Sequence, residues 1–148
     1  MDAFDADVLI YAAVRDHPLG RRVLALLSEP AGRQAGTGSV LLLPEILSKP
    51  LGEGSAAEVS ALARLLARLD LRPVDRHTAE LATALGARYG LRAADATHLA
   101  TAINVGADRF ITNNSRDFPP TISEVRVTYP ADLPDAPAKP VRQPTSAQ

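Results

Sequence analysis

The chain has no cysteine among its 148 residues, which excludes disulfides and thiolate metal sites. It also lacks any apolar run of about 18 residues or more, so no segment reads as a membrane span. The opening Met1-Asp2-Ala3-Phe4-Asp5 carries acids at once and no basic segment, and does not read as a signal peptide. The cytoplasm is the expected location. Lysine is nearly absent: only Lys49 and Lys139 are lysines among 16 basic residues, the rest being arginine. Arginine suits bidentate phosphate contacts, but a GC-rich genome produces the same bias. Against 17 acids the net charge is −1, so there is no general electrostatic pull toward nucleic acid.

What is present is an ordinary apolar fraction of 46 %, enough for one domain with a core. Ala3 to Asp7 reads as a short strand ending in acids, followed by a helix from Val8 to Val14. A second helix is expected from Pro18 to Ser28, with Leu19, Val23, Leu26 and Leu27 on its apolar side. Pro30 and the glycine-rich stretch from Gly32 to Gly38 read as a break. Ser39 to Ser48 reads as a buried helix stopped by Pro50. Ser55 is a candidate cap for a helix carrying Val59, Leu62, Leu66 and Leu69. Leu71 to Val74 reads as a strand. Thr78 to Tyr89 reads as a helix closed by Gly90, and Arg92 to Val105 as another ended by Gly106. Arg109–Thr112 and Val125–Thr128 are the last two expected strands.

Strands alternating with helices predict an α/β sandwich around a largely parallel sheet. The expected domain covers residues 1–130. Five prolines from Pro130 onward, at 130, 134, 137, 140 and 144, mark residues 131–148 as a Pro-rich, disordered tail.

Four segments carry candidate chemistry. Asp5 and Asp7 fall at the end of the first strand, where ligands of open α/β sheets bind; either acid reads equally as a cap of the following helix. Glu45 stands in an apolar helix, where a carboxylate is costly to bury unless paired or metal-bound; an exposed glutamate on an amphipathic face is the alternative. Asp95 heads a stripe with Leu99 and Ala102 at four- and seven-residue spacing, or is an acid that favours the helix dipole. His98 reads as structural, turned to a different face from Asp95. The polar loop Thr112-Asn113-Asn114-Ser115-Arg116-Asp117 follows a strand, and by itself is a turn. Together, several carboxylates converging on one place repel each other, and Mg²⁺ or Mn²⁺ relieves that. Oxygen ligands without cysteine favour such metals over zinc, and a site of this kind hydrolyses phosphodiesters.

These segments, in this order, resemble the PIN-domain family and in particular its VapC-type toxins. The resemblance runs from Phe4 to Asp117. Its most specific part is Gly90-Leu91-Arg92-Ala93-Ala94-Asp95-Ala96-Thr97-His98-Leu99-Ala100-Thr101-Ala102, followed by Gly106 to Asn113. It implies a three-layer α/β/α sandwich around a short, mostly parallel sheet, and a metal-dependent endoribonuclease. It also implies neutralisation by a partner antitoxin, and a homodimer. By the same resemblance Asp5, Glu45 and Asp95 fall on the acidic metal-site positions. Asp5 and Asp95 are then the ligands, Glu45 helps hold the metal or orient its water, and Thr112 shapes the pocket. Asp7 stands where the family more often has a small polar residue; it adds to the site or caps the first helix. Asn114 departs from the pattern, because the family often has a fourth acid there. Asp117 substitutes for it if the loop bends back.

Two rivals remain at this point. The opening Asp5-Ala6-Asp7-Val8-Leu9 also resembles haloacid-dehalogenase-type phosphatases, which need a later lysine and a downstream acidic pair; the chain has no Asp-Asp pair. A PIN fold with Asn114 in place of an acid is also compatible with a catalytically silent binding module.

Overall fold

The computed structural model describes residues 1–28 and 33–137. Five strands and six helices alternate among them: β1 (Asp2–Phe4), α1 (Ala6–Ala13), α2 (Pro18–Leu26), β2 (Gly36–Ser39), α3 (Leu42–Gly52), α4 (Ala56–Leu66), β3 (Leu69–Arg72), α5 (Arg76–Tyr89), α6 (Ala93–Asn104), β4 (Arg109–Ile111) and β5 (Arg126–Thr128). The sheet order is β3-β2-β1-β4-β5, and every neighbouring pair is parallel. The expected α/β sandwich is therefore present, with β1 at the centre.

Side-chain alternation along the strands builds the layers. Phe4 and Ile111 pack with Val8, Leu9, Val23, Leu42, Ile46, Leu62 and Leu66, from the helices α1 to α4 on one face. Ala3 and Phe110 pack with Ala82, Leu85, Leu99 and Ala102, from α5 and α6 on the other. Phe118 joins this second core with its ring edge-on to Phe110, centroids 5.0 Å apart.

The largest departure from the sequence reading is β2. The segment taken as a glycine-rich break contains a fully buried strand, Gly36-Thr37-Gly38-Ser39. It has no apolar side chain because its neighbours already fill the space. A Cβ on Gly36 would lie 2.5 Å from the Phe4 ring and 2.7 Å from the Asp2 carbonyl oxygen; one on Gly38 would lie 2.4 Å from Leu42. Thr37 satisfies its hydroxyl by donating to the Asp70 carbonyl at 2.9 Å. Pro30 and Gly32, part of the same expected break, lie outside the described residues.

Smaller corrections follow from local bonding. Ser39 belongs to β2 rather than α3, and Pro50 lies inside α3, which ends two residues later. The Ser55 side chain makes no capping bond to α4. Strand β3 lies two residues earlier than expected because Leu69 pairs with Gly36, and Pro73 beyond it has no N–H to offer. Helix α5 starts earlier because Asp75 accepts from the Thr78 N–H at 2.8 Å. Gly90 closes it with φ 66, the left-handed conformation glycine adopts without steric cost.

Ordered packing also runs past residue 130. Leu133 is buried in the first core, and Arg22 on α2 donates to the carbonyls of Ala131 at 2.7 Å and Leu133 at 3.2 Å. The first part of the segment read as a disordered tail is thus docked, and residues 138–148 lie outside the described residues.

Candidate active site

The centre of the sheet brings two chain segments together at its carboxyl edge. Phe4 and Ile111 are register partners, so Asp5 and Thr112, the next residues, emerge side by side. Asp5 N–H donates to the Ile111 carbonyl at 2.9 Å. One carboxylate oxygen of Asp5 accepts from the Ala6 N–H at 2.8 Å, and the other from the Thr112 hydroxyl at 2.8 Å. Asp5 is thus both a helix cap and a buried acid. The two readings of this residue do not exclude each other.

Asp7, in the first turn of α1, accepts from Val8 N–H at 2.7 Å and from Asn113 N–H at 3.0 Å. The second bond ties the loop after β4 to the start of α1. Within that loop Asn114 N–H donates to the Thr112 hydroxyl oxygen at 3.1 Å, leaving the hydroxyl hydrogen for Asp5. The loop bends back: Asn114 donates through Nδ2 to the Asp117 carboxylate at 2.8 Å, and its Oδ1 accepts from Asp117 N–H at 3.1 Å.

Glu45 enters from the first turn of α3, directly beyond β2. Its Oε2 is hydrogen-bonded to Nε2 of His98 on α6, which joins the two helical layers past the end of the sheet. His98, read as structural and on a different face from Asp95, is thus bonded to another of the candidate acids. Residues three apart on a helix are neighbours, only about 60° short of a full turn, and this spacing from Asp95 is the signal that was available.

The electrostatics of the site are set by one buried acid, Asp5, with half-buried and exposed acids near it. Burial raises the Asp5 carboxyl above its ordinary value, and Glu45 adds to this; His98 and the bonds from Thr112 and Ala6 work the other way. Asp7 is pushed up to about 7, by burial first and then by the charges of Asp5 and Asp95, against its bonds from Asn113 and Val8. Asp95 is raised by burial and then by Asp5, Asp117 and Glu45, with His98 opposing. Burial disfavours the charged His98 ring, but the bond to Glu45 and the charges of Asp5, Glu45 and Asp95 outweigh it and raise its pKa. One electrostatic neighbourhood thus holds every acid picked from the sequence. Among the described residues no three acidic or histidine side chains stand close enough together to enclose a metal ion.

The PIN-domain family profile matches residues 3–120. The chain belongs to the PIN-domain family. PIN domains are generally nucleases, that is, hydrolases. This PIN domain is also similar to a solved structure, a toxin–antitoxin complex from Klebsiella pneumoniae, at 25 % identity and a TM-score of 0.67, over 88 % of this chain and 98 % of that one. No protein of curated function matches the chain. Membership of the PIN family sets aside the phosphatase alternative, which rested on the opening motif alone.

Proposed function

We propose that this PIN domain is a metal-dependent endoribonuclease and the toxin of a toxin–antitoxin pair. What supports the reading is that Asp5, just after β1, raises the pKa of Asp95 in the first turn of α6, and that each carboxyl is held above its ordinary value by burial and by neighbouring acids. A set of hard oxygen donors whose charges repel is chemically suited to a divalent cation, so the donor types fit Mg²⁺ or Mn²⁺. Asp5 and Asp95 are the residues that would hold it, and Glu45 would orient the attacking water. Thr112 keeps the Asp5 carboxylate in one rotamer, and Asp7, Asn114 and Asp117 fix the loop that closes the site. The cation, when bound, supplies neutralisation of phosphate charge and a more acidic water. Hydrolysis adds the oxygen of a water to phosphorus and breaks the ester bond to one of the sugar oxygens, which leaves with a proton from that water.

The toxin role rests on the similarity to the Klebsiella pneumoniae complex. An antitoxin protein as partner, a homodimeric state and a cytoplasmic location belong to the same proposal. The described residues contain no helix long and apolar enough to cross a membrane.

The test is cleavage of a mixed RNA and of DNA of the same sequence, with Mg²⁺, with Mn²⁺ and with EDTA, by the wild-type protein and by Asp95→Asn. Cleavage of RNA that needs metal and disappears in the variant is expected. A well-folded wild-type protein that cuts nothing points instead to a silent binding module. Cleavage that survives EDTA or Asp95→Asn removes the metal site from the reading.

A further inference from the structure

The His98–Glu45 contact has features that core packing does not explain. The His98 side chain has no solvent exposure, while Glu45 is 37 % exposed. Nε2 of the ring bonds the Glu45 carboxylate, which can only accept, so Nε2 carries the hydrogen. Nδ1 is buried, with no hydrogen-bond partner among the described residues. A buried polar atom left unsatisfied costs about 1–3 kcal/mol, and a core position filled by leucine would avoid that cost. The ring's hydrogen bonding is thus spent on one contact, to a carboxylate on the opposite helical layer. Thr97, Leu99 and Thr101 of the same helix are buried as well. Glu45, by contrast, is a long and half-exposed side chain that would sample many rotamers in water.

We propose that His98 is a positioning residue for Glu45: the buried imidazole on α6 pins the α3 carboxylate at the sheet edge, near Asp5 and Asp95. Helix α6 then carries a metal-site acid and the clamp for a second acid within one turn. This rests on the functional reading above and adds to it the residue through which the α3 carboxylate is oriented.

Two isosteric tests separate the clamp from a packing role. In His98→Gln the amide nitrogen reaches the place of Nε2; in His98→Asn it reaches only the place of Nδ1. Both are polar and of similar bulk, so a packing role predicts similar behaviour. The clamp predicts that Gln keeps Mn²⁺ binding and kcat near wild type. Asn should lose about 10–100-fold in each, with KM little changed. Adding His98→Asn to Glu45→Gln should cost nothing further. Independently of activity, the His98 Nε2 resonance in ¹⁵N NMR should shift on Glu45→Gln. Gln and Asn variants that behave alike, or effects of His98 and Glu45 that simply add, would overturn the inference while leaving the nuclease reading intact. A wild-type protein that neither binds Mn²⁺ nor cleaves RNA removes the functional reading and the inference with it.

Discussion

Strand β1 begins at one aspartate and is followed by another, and the two are treated in opposite ways. Asp2 faces its register partner Arg109 and receives two bonds from the guanidinium, at 2.9 and 2.8 Å. Asp5, at the other end, is buried and meets a hydroxyl and a backbone N–H, and it feels the charge of Glu45, which His98 offsets. At the amino edge of the sheet, charge is matched as it is laid down. At the carboxyl edge it is left in excess. An acid with its arginine beside it serves the fold, whereas acids raising one another's pKa destabilise it, and the proposed cation would relieve that.

The sharpest way to break this contrast is to neutralise each acid in turn. Asp5→Asn should lower RNA cleavage by about 100-fold or more and leave the melting temperature equal or higher, since a buried charge is relieved. Asp2→Asn should do the reverse. It loses two charge-assisted bonds of a mostly buried pair, at a cost of about 1–3 kcal/mol, and keeps cleavage. Denaturant melts and a cleavage assay on both variants decide it; a matching loss of activity in both would end the distinction.

A smaller effect should appear in pH dependence without metal. Asp7 titrates near 7 in the folded chain against 3.8 when unperturbed, so between these values the folded state holds a proton that the unfolded state has lost. Its contribution to stability is full below about pH 4 and is lost as pH rises through about 7. Asp5 and Asp95 are shifted in the same direction. Stability should therefore fall from pH 4 to 7, less steeply in Asp7→Asn and in the presence of Mg²⁺. Urea midpoints across that window measure it, and a rise unchanged by Asp7→Asn would contradict it.

The smallest effect concerns Asn114. Its amide donates to Asp117, so Asn114→Asp replaces a hydrogen bond by two facing carboxylates. Metal-free stability should drop by about 1 kcal/mol, and Mg²⁺ should restore part of it. Thermal melts with and without Mg²⁺ read this directly. A metal-free variant as stable as wild type would show that Asp117 is free to turn away.

Much of this was legible in the chain. The acids at the end of the first strand, the helix closed by Gly90 and the strand Arg109–Ile111 follow from alternation, helical spacing and glycine chemistry. What was hidden has a common physical cause. Strand β2 is written in Gly, Thr and Ser because the side chains that make it a core strand belong to Phe4 and Leu42, far off in sequence or on the next helix. The start of the tail looked disordered because of its prolines, yet Leu133 is buried in the first core and Arg22 holds its backbone. The pairing of Glu45 with His98 joins helices from opposite layers, and no local pattern encodes it.

The ring of Phe4 occupies the volume that a side chain at position 36 would need. Position 36 therefore cannot drift alone, and the Asp2 carbonyl oxygen constrains it as well. Any descendant sequence with alanine or a larger residue at 36 must first have given up the phenyl ring at 4, whose neighbour in the chain is Asp5. The freedom of the least remarkable strand to vary is in this way tied to the residue beside the chemistry.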